Sequence, residues 1–203
     1  MQVTTRFTTV LAATGVLVLS GCGNTTEDEA GTEQTAAAPA GNALTVTMRD
    51  TEDAEVGTVQ FSDVQGGVQV AAQVEGLEPG FYGLHVHGTG LCELDSAAPD
   101  DPAETGAFLS AGGHLGASEA EHPDHAGDLP SLYVTDSGQG NLVTLTDRFT
   151  LEELQDEDGS AVMIHTGTDN YANIPDRYAP EGPDEDTLAT GDAGSRLACG
   201  VVE

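Results

Sequence analysis

The sequence predicts an all-β fold, an antiparallel β-sandwich or barrel with long functional loops. Three observations support this: apolar residues alternate with polar ones, turn-forming residues separate the alternating segments, and 26 of the 203 residues are glycine. A chain of this length is usually one domain, with or without a tail. Hydrophobic residues make up 38% of the chain and aromatic residues only 4%, so the core is expected to consist mainly of small aliphatic side chains.

The strands are predicted where apolar residues lie two positions apart. Leu44, Val46 and Met48 show this spacing first, and residues 68–74 and 162–164 repeat it, with Leu142 between them. Turn residues such as GG at 66–67, EPG at 78–80 and DSGQG at 136–140 favour antiparallel connections. One helical turn is predicted in FTLEEL, residues 149–154.

Three long segments lack strand alternation: 88–113, 114–130 and 166–195. Long loops on a rigid β scaffold usually carry function, so we expect the functional residues to lie in or beside them.

The N-terminus has the features of a targeting segment. Arg6 precedes an apolar run that is shorter than the ~20 residues needed to span a bilayer, and small residues lead to Cys22 as in a bacterial lipobox. We predict a lipoprotein signal peptide at 1–21, lipidation of Cys22, an acidic flexible tether at 22–42 and a folded domain at 43–203. The protein would be extracytoplasmic and lipid-anchored to the cell membrane. With Cys22 lipidated, Cys92 and Cys199 can pair with each other.

The charge balance excludes some classes of partner. The chain has 35 Asp and Glu residues against 5 Lys and Arg residues, and all five are arginines. Removal of residues 1–21 takes away Arg6 and no acid, so the mature formal charge is 4 − 35 = −31. Nucleic acid and anionic lipid are therefore poor partners. The sequence marks no oligomeric interface.

Six histidines carry the strongest functional signal. His85 and His87 alternate with apolar residues in FYGLHVHG, so both imidazoles point to one strand face, about 7 Å apart at Cα, and can meet one ion. That pair alone would also fit a solvated strand face. The remaining four lie at GGH (112–114), HPDHAGD (122–128) and the end of SAVMIH (160–165).

This set of motifs, with GDAGSRLACG at 191–200, resembles copper-zinc superoxide dismutase over residues 43–203. It is most similar to the lipoprotein members of that family in actinobacteria, to judge from SAGGH, AGDLPSL, DNYANIP and TGDAGSRLACGVV. The resemblance implies a Greek-key antiparallel β-sandwich or barrel. It also implies dismutation of superoxide to dioxygen and hydrogen peroxide at a copper centre, protecting the cell exterior.

The resemblance assigns residues position by position. The copper ligands are His85, His87, His114 and His165. The zinc ligands are His114, His122, His125 and Asp128. His114 bridges the two metals and carries a proton during catalysis, and Arg196 docks the superoxide anion beside copper. Asp169 hydrogen-bonds His85 and His122, and Cys92 and Cys199 form a disulfide bond.

One departure from the family keeps alternatives open. Only Pro123 and Asp124 separate His122 from His125, whereas the usual zinc loop is longer there. A copper-only superoxide dismutase lacking zinc therefore remains an alternative, as do a non-enzymatic copper-binding lipoprotein and a purely structural β domain. Arg196 favours turnover over storage, because a storage site needs no anion dock. The full set of metal-binding residues argues against the structural domain.

Overall fold

The computed structural model of the protein describes residues 42–203. The predicted signal peptide and the predicted tether up to residue 41 lie outside the described residues. In the described part most of the regular structure is β-strand, which confirms the all-β prediction. No helix in this part of the chain is long and apolar enough to cross a membrane.

Eleven strands are present between residues 42 and 203. They are β1 (Ala43–Asp50), β2 (Glu55–Val64), β3 (Gly67–Glu75), β4 (Gly80–Tyr82), β5 (Leu84–His87), β6 (Ser96–Ala97), β7 (Thr105–Gly106), β8 (Leu132–Val134), β9 (Gln139–Thr146), β10 (Ser160–His165) and β11 (Arg196–Val202). The helical segments are a 3₁₀ turn (Leu109–Ala111), α1 (Leu151–Leu154) and α2 (Glu185–Thr190).

Nine strands form one antiparallel sheet in the order β4-β8-β9-β3-β2-β1-β11-β10-β5. β4 and β5 stand at opposite edges, yet only Gly83 separates them in the chain. The segment 80–87 therefore pairs with β8 at one end and with β10 at the other, and it closes the sheet into a Greek-key barrel. A Cβ at Gly83 would lie 2.6 Å from Cβ of Ala193, so this crossing requires glycine.

The barrel encloses a core of small aliphatic side chains, as the composition predicts. Val46, Val70, Leu84 and Ile164 are almost fully buried in it, and Phe61 packs edge-on against Phe149 with ring centroids 6.0 Å apart. A smaller second core forms under the 88–113 loop. It consists of Phe108, Ala111, Ala161, Met163 and Cys199.

The loop predictions need two corrections. The segment 88–113 contains the two-residue strands β6 and β7 and the 3₁₀ turn, and the segment 166–195 contains α2, which the sequence reasoning missed. These elements are too short to leave a periodic pattern. The helical turn predicted at 149–154 is α1, whose start is fixed by a capping box between Thr150 and Glu153.

Candidate metal centre

The site contains two histidines of β5. Leu84 and Val86 belong to the main core, and His85 and His87 alternate with them on the other face of the strand. Both imidazoles are buried, with 0% and 1% of the residue exposed. The alternation predicted from the sequence therefore separates a core face from a histidine face.

The neighbouring strand β10 supplies a third histidine. His165 ends β10, and its Nε2 lies 3.4 Å from Nε2 of His87. The Nδ1 atoms face backbone carbonyls, 2.8 Å from that of Gly112 for His87 and 3.0 Å from that of Gly194 for His165. Because a carbonyl can only accept, each Nδ1 carries the proton. The two Nε2 lone pairs then face each other, as donors around a cation do.

Burial keeps these rings neutral in the metal-free chain. It lowers the pKa of His165 to about 3, lowers that of His85 to about 4, and lowers that of His87 well below its usual range. A neutral imidazole is the form that binds a metal ion.

His85 also contributes a ring nitrogen to the site. Its Nε2 lies 2.9 Å from Oδ2 of Asp169, and its buried Nδ1 has no hydrogen-bond partner. An unpartnered buried nitrogen costs free energy unless another group, such as a metal ion, occupies its lone pair. This orphaned atom is direct structural support for a cation beside His85.

The second part of the site gathers around the carboxylate of Asp128. The Nδ1 atom of His114 lies 2.8 Å from Oδ1, and Nδ1 atoms of His122 and His125 lie 3.1 and 3.2 Å from Oδ2. The buried Nδ1 of His122 has no hydrogen-bond partner. Three imidazole nitrogens and one carboxylate form the donor set of a closed tetrahedral zinc site.

The shortened loop reaches this arrangement by packing along β5. Isolated bridges join His87 to His114 and His85 to Asp128, and the amide of Val86 donates to the carbonyl of Gly127 at 2.8 Å. A Cβ on Gly127 would lie 2.1 Å from the carbonyl oxygen of Val86, so the glycine of HAGD permits this close approach. Two intervening residues therefore suffice to bring His122 and His125 to one carboxylate.

Asp169 joins the two parts. Its Oδ1 lies 2.9 Å from Nε2 of His122, its Oδ2 lies 2.9 Å from Nε2 of His85, and the amide of Tyr171 donates to Oδ1 at 2.7 Å. Burial opposes charging of His122, but the carboxylates of Asp128 and Asp169, close to its two ring nitrogens, raise its pKa to about 9. A cation that binds Nδ1 of His122 at neutral pH must therefore displace a proton.

Arg196 stands beside the β5 and β10 histidines. Its guanidinium donates to the carbonyls of Phe108 and Gly112, the latter at 2.6 Å. Because Nδ1 of His87 donates to the same Gly112 carbonyl, one backbone oxygen fixes both side chains. The predicted bond between Cys92 and Cys199 is present, and it ties the 88–113 loop to the strand that begins with Arg196.

The ligand atoms form two overlapping groups in which all atoms lie within 4.8 Å of one another. One group is His87, His114 and His165; the other is His85, His114, His122 and Asp128. His114 belongs to both groups. The second group contains His85 and not His125, although Nδ1 of His125 lies 3.2 Å from Oδ2 of Asp128. An all-imidazole set suits copper, and three imidazoles with a carboxylate suit zinc, so the residues present fit both metals.

The structure adds residues that sequence reasoning did not assign. The carbonyls of Phe108, Gly112 and Gly194 accept hydrogen bonds from side chains of the site and orient them. Every residue has a backbone carbonyl, so the sequence does not indicate which carbonyls take this role. Gly191 is a further addition, because a Cβ there would lie 2.2 Å from Oδ1 of Asp169 and 2.5 Å from Nε2 of His122. The positive φ of 62° at Gly191 also favours glycine.

Comparisons with known proteins agree with this geometry. The family model described as copper/zinc superoxide dismutase (SODC) matches residues 55–202. The Cu-Zn superoxide dismutase of Mycobacterium tuberculosis is 44% identical over 172 residues, which cover 81% of this chain and 71% of the relative. That of Photobacterium leiognathi is 34% identical over 171 residues, which cover 79% and 86%.

A solved structure gives the same result. The Cu/Zn superoxide dismutase from Brucella abortus superposes with a TM-score of 0.61 at 31% sequence identity, covering 80% of this chain and 100% of the other. Fold and sequence therefore agree over most of the described residues. The chain belongs to the copper/zinc superoxide dismutase family.

Proposed function

We propose that this protein dismutates superoxide outside the cytoplasm, at a copper centre supported by zinc and attached to the cell membrane through lipid on Cys22. The observation that carries the proposal is the overlap of two metal-binding groups at His114, with Arg196 held by the carbonyl that also orients His87. Two superoxide ions and two protons give one dioxygen and one hydrogen peroxide.

Each metal has its own proposed ligands. Copper is held by four histidines: His85, His87, His114 and His165. Zinc is held by three histidines and one carboxylate: His114, His122, His125 and Asp128. Bound copper supplies one-electron redox chemistry by alternating between two oxidation states. The orphaned Nδ1 of His85 and the facing Nε2 atoms of His87 and His165 support the copper assignment.

The protein side chains bind the substrate and handle its protons. Arg196 attracts superoxide and orients it, because two of its donors are fixed by carbonyls and the guanidinium keeps further N–H groups for an anion. His114 can hold a proton on the ring nitrogen opposite Nδ1 while Nδ1 stays with the Asp128 group. Asp169 keeps His85 and His122 oriented throughout.

Metal analysis combined with an activity assay tests the proposed function. We expect about one copper and one zinc per chain in the metal-loaded protein, together with rapid superoxide dismutation. An active protein that binds copper but no zinc would support the copper-only alternative, and a copper-loaded protein without activity would support the copper-binding alternative.

The proposed membrane anchor has a separate test. Cys22→Ser should release the protein from membranes without loss of activity, because lipidation acts on Cys22 while the described domain begins at residue 42. Fractionation of cells that express either form, followed by immunoblotting and an activity assay of each fraction, measures this. Membrane retention of the Cys22→Ser protein would contradict lipid anchoring at this residue.

A further inference from the structure

Arg148 contacts three consecutive residues of the loop that carries the proposed zinc ligands. Its Nη1 donates to the carbonyl of Pro123 at 2.6 Å and to the carbonyl of His125 at 3.1 Å. Its Nη2 lies 3.2 Å from Oδ1 of Asp124. One guanidinium therefore holds the whole connection between His122 and His125.

The barrel fixes the other end of this contact. Arg148 lies between β9 and α1, and its amide donates to Oγ1 of Thr146 at 3.2 Å. The next residue, Phe149, is buried in the main core against Phe61. The Arg148 backbone is thus attached to a rigid part of the domain, and its side chain transmits that rigidity to the loop.

In this short loop, the contact with Arg148 can affect the orientation of both histidines. The rings of His122 and His125 point inward to Asp128, while the carbonyls of Pro123 and His125 point outward to Arg148. A planar guanidinium can hold several acceptors in a fixed arrangement, which a single ammonium group cannot do. Fixed carbonyls restrict the backbone torsions that set where the two imidazoles point.

We propose that Arg148 is a positioning residue for the zinc site: it clamps the Pro123–His125 backbone from outside and thereby holds His122 and His125 in the orientation that binds zinc. The proposal rests on the zinc assignment made above. Arg148 touches neither substrate nor metal in this role, and it acts through the two histidines.

Electrostatics alone predicts the opposite effect of removing Arg148. A positive charge close to a cation site disfavours the cation, so its loss would strengthen zinc binding if charge were the dominant effect. The positioning role predicts weaker zinc binding. The direction of the change therefore separates the two effects.

The test uses the full-length protein loaded with copper and zinc, and compares wild type with Arg148→Gln. We expect the zinc affinity, measured by competition with a chromogenic chelator, to fall about 10-fold, the lower end of the range for residues that orient a metal ligand. Copper affinity should change less than 2-fold. Arg148→Lys keeps a cationic donor but lacks the planar guanidinium. Its zinc affinity should therefore lie between that of wild type and that of Arg148→Gln.

Arg49 offers a matched control. Its guanidinium donates to the carbonyl of Asp53 and lies near the carboxylates of Asp53 and Glu55, and its side chain is 48% exposed, compared with 40% for Arg148. Arg49→Gln removes an equivalent charge and contact in the β1–β2 turn. It should leave the zinc affinity at the wild-type value.

Several outcomes would overturn the proposal. Unchanged or stronger zinc binding in Arg148→Gln would show that the clamp does not position the ligands. An equal loss of copper and zinc affinity, or an equal effect of Arg49→Gln, would show a general contribution to the fold. A wild-type protein that binds no zinc would overturn both this proposal and the zinc assignment. If wild type binds zinc and Arg148→Gln binds it equally well or more tightly, only this proposal is overturned.

Discussion

Asp169→Asn is expected to lower the affinity of the protein for zinc by about 10- to 100-fold, the range found when a partner that orients a metal ligand is lost. The carboxylate accepts from Nε2 of His122 with one oxygen and from Nε2 of His85 with the other. Asparagine keeps the size but has only one acceptor oxygen, and its amide group would meet the second N–H as a donor. At least one imidazole would lose its orientation.

Copper affinity should fall in the same variant. His85 is oriented by Asp169 within a fully buried environment, where an unpaired N–H has no water to replace the carboxylate. Metal content after dialysis against a chelator, with zinc and copper measured separately, checks both effects. Two further proposed copper ligands, His87 and His165, are oriented by backbone carbonyls. The orientation of their rings should not change in Asp169→Asn.

Asp192→Asn serves as the control for this experiment. Asp192 lies in the same loop and accepts from the side chains of Asn170 and Thr187, but among the described residues it makes no hydrogen bond or ion pair with a histidine. Its substitution removes an equal charge from the same region. If Asp192→Asn and Asp169→Asn lost metal to the same extent, loop charge or loop order would explain the effect, and a specific role of Asp169 would be contradicted.

Sequence alone could predict the parts of this molecule that follow a period or a motif. Alternation in HVH placed His85 and His87 on one face because strand geometry alternates strictly, and the structure shows the same face. The pairing of Cys92 with Cys199 followed from an odd cysteine count and is confirmed. The barrel followed from short alternating segments separated by turns.

Other parts could not be predicted because they depend on contacts between distant segments. Arg148 lies 23 to 25 residues from the three residues that it contacts, in a stretch that resembles any polar turn before a helix. The role of the Gly112 carbonyl depends on the approach of His87 and Arg196 from two different strands. Helix α2 is six residues long, which is too short for a helical period to appear.

The arrival of the substrate poses an electrostatic problem for this enzyme. Superoxide is an anion, and the chain has a formal net charge of −30 at pH 7. Superoxide dismutases are themselves a standard example of diffusion-limited and electrostatically steered catalysis. The 166–195 loop nevertheless contains seven acids and a single arginine, Arg177. Long-range attraction toward the site is therefore expected to be poor.

The attraction that remains is local and centres on Arg196. Burial lowers the pKa of this guanidinium, and the nearby carboxylates of Glu104 and Asp100 act in the opposite direction. Those same carboxylates repel an approaching anion, whereas the guanidinium acts over a few ångströms, where salt screens it less than it screens diffuse surface charge. Salt should therefore weaken the repulsion more than it weakens the attraction.

We expect the catalytic rate of the wild-type protein to stay flat or to rise when ionic strength increases from ~0.01 to ~0.15 M, which shortens the Debye length from ~30 to ~8 Å. Arg196→Ile should slow catalysis about tenfold or more, because a guanidinium that docks and orients the anion contributes at least ~1.4 kcal/mol. Pulse radiolysis across a salt series, on samples of equal copper content, measures both. A steep fall of the wild-type rate with salt would reveal a positive funnel, and an Arg196→Ile rate within twofold of wild type would show that the anion docks elsewhere.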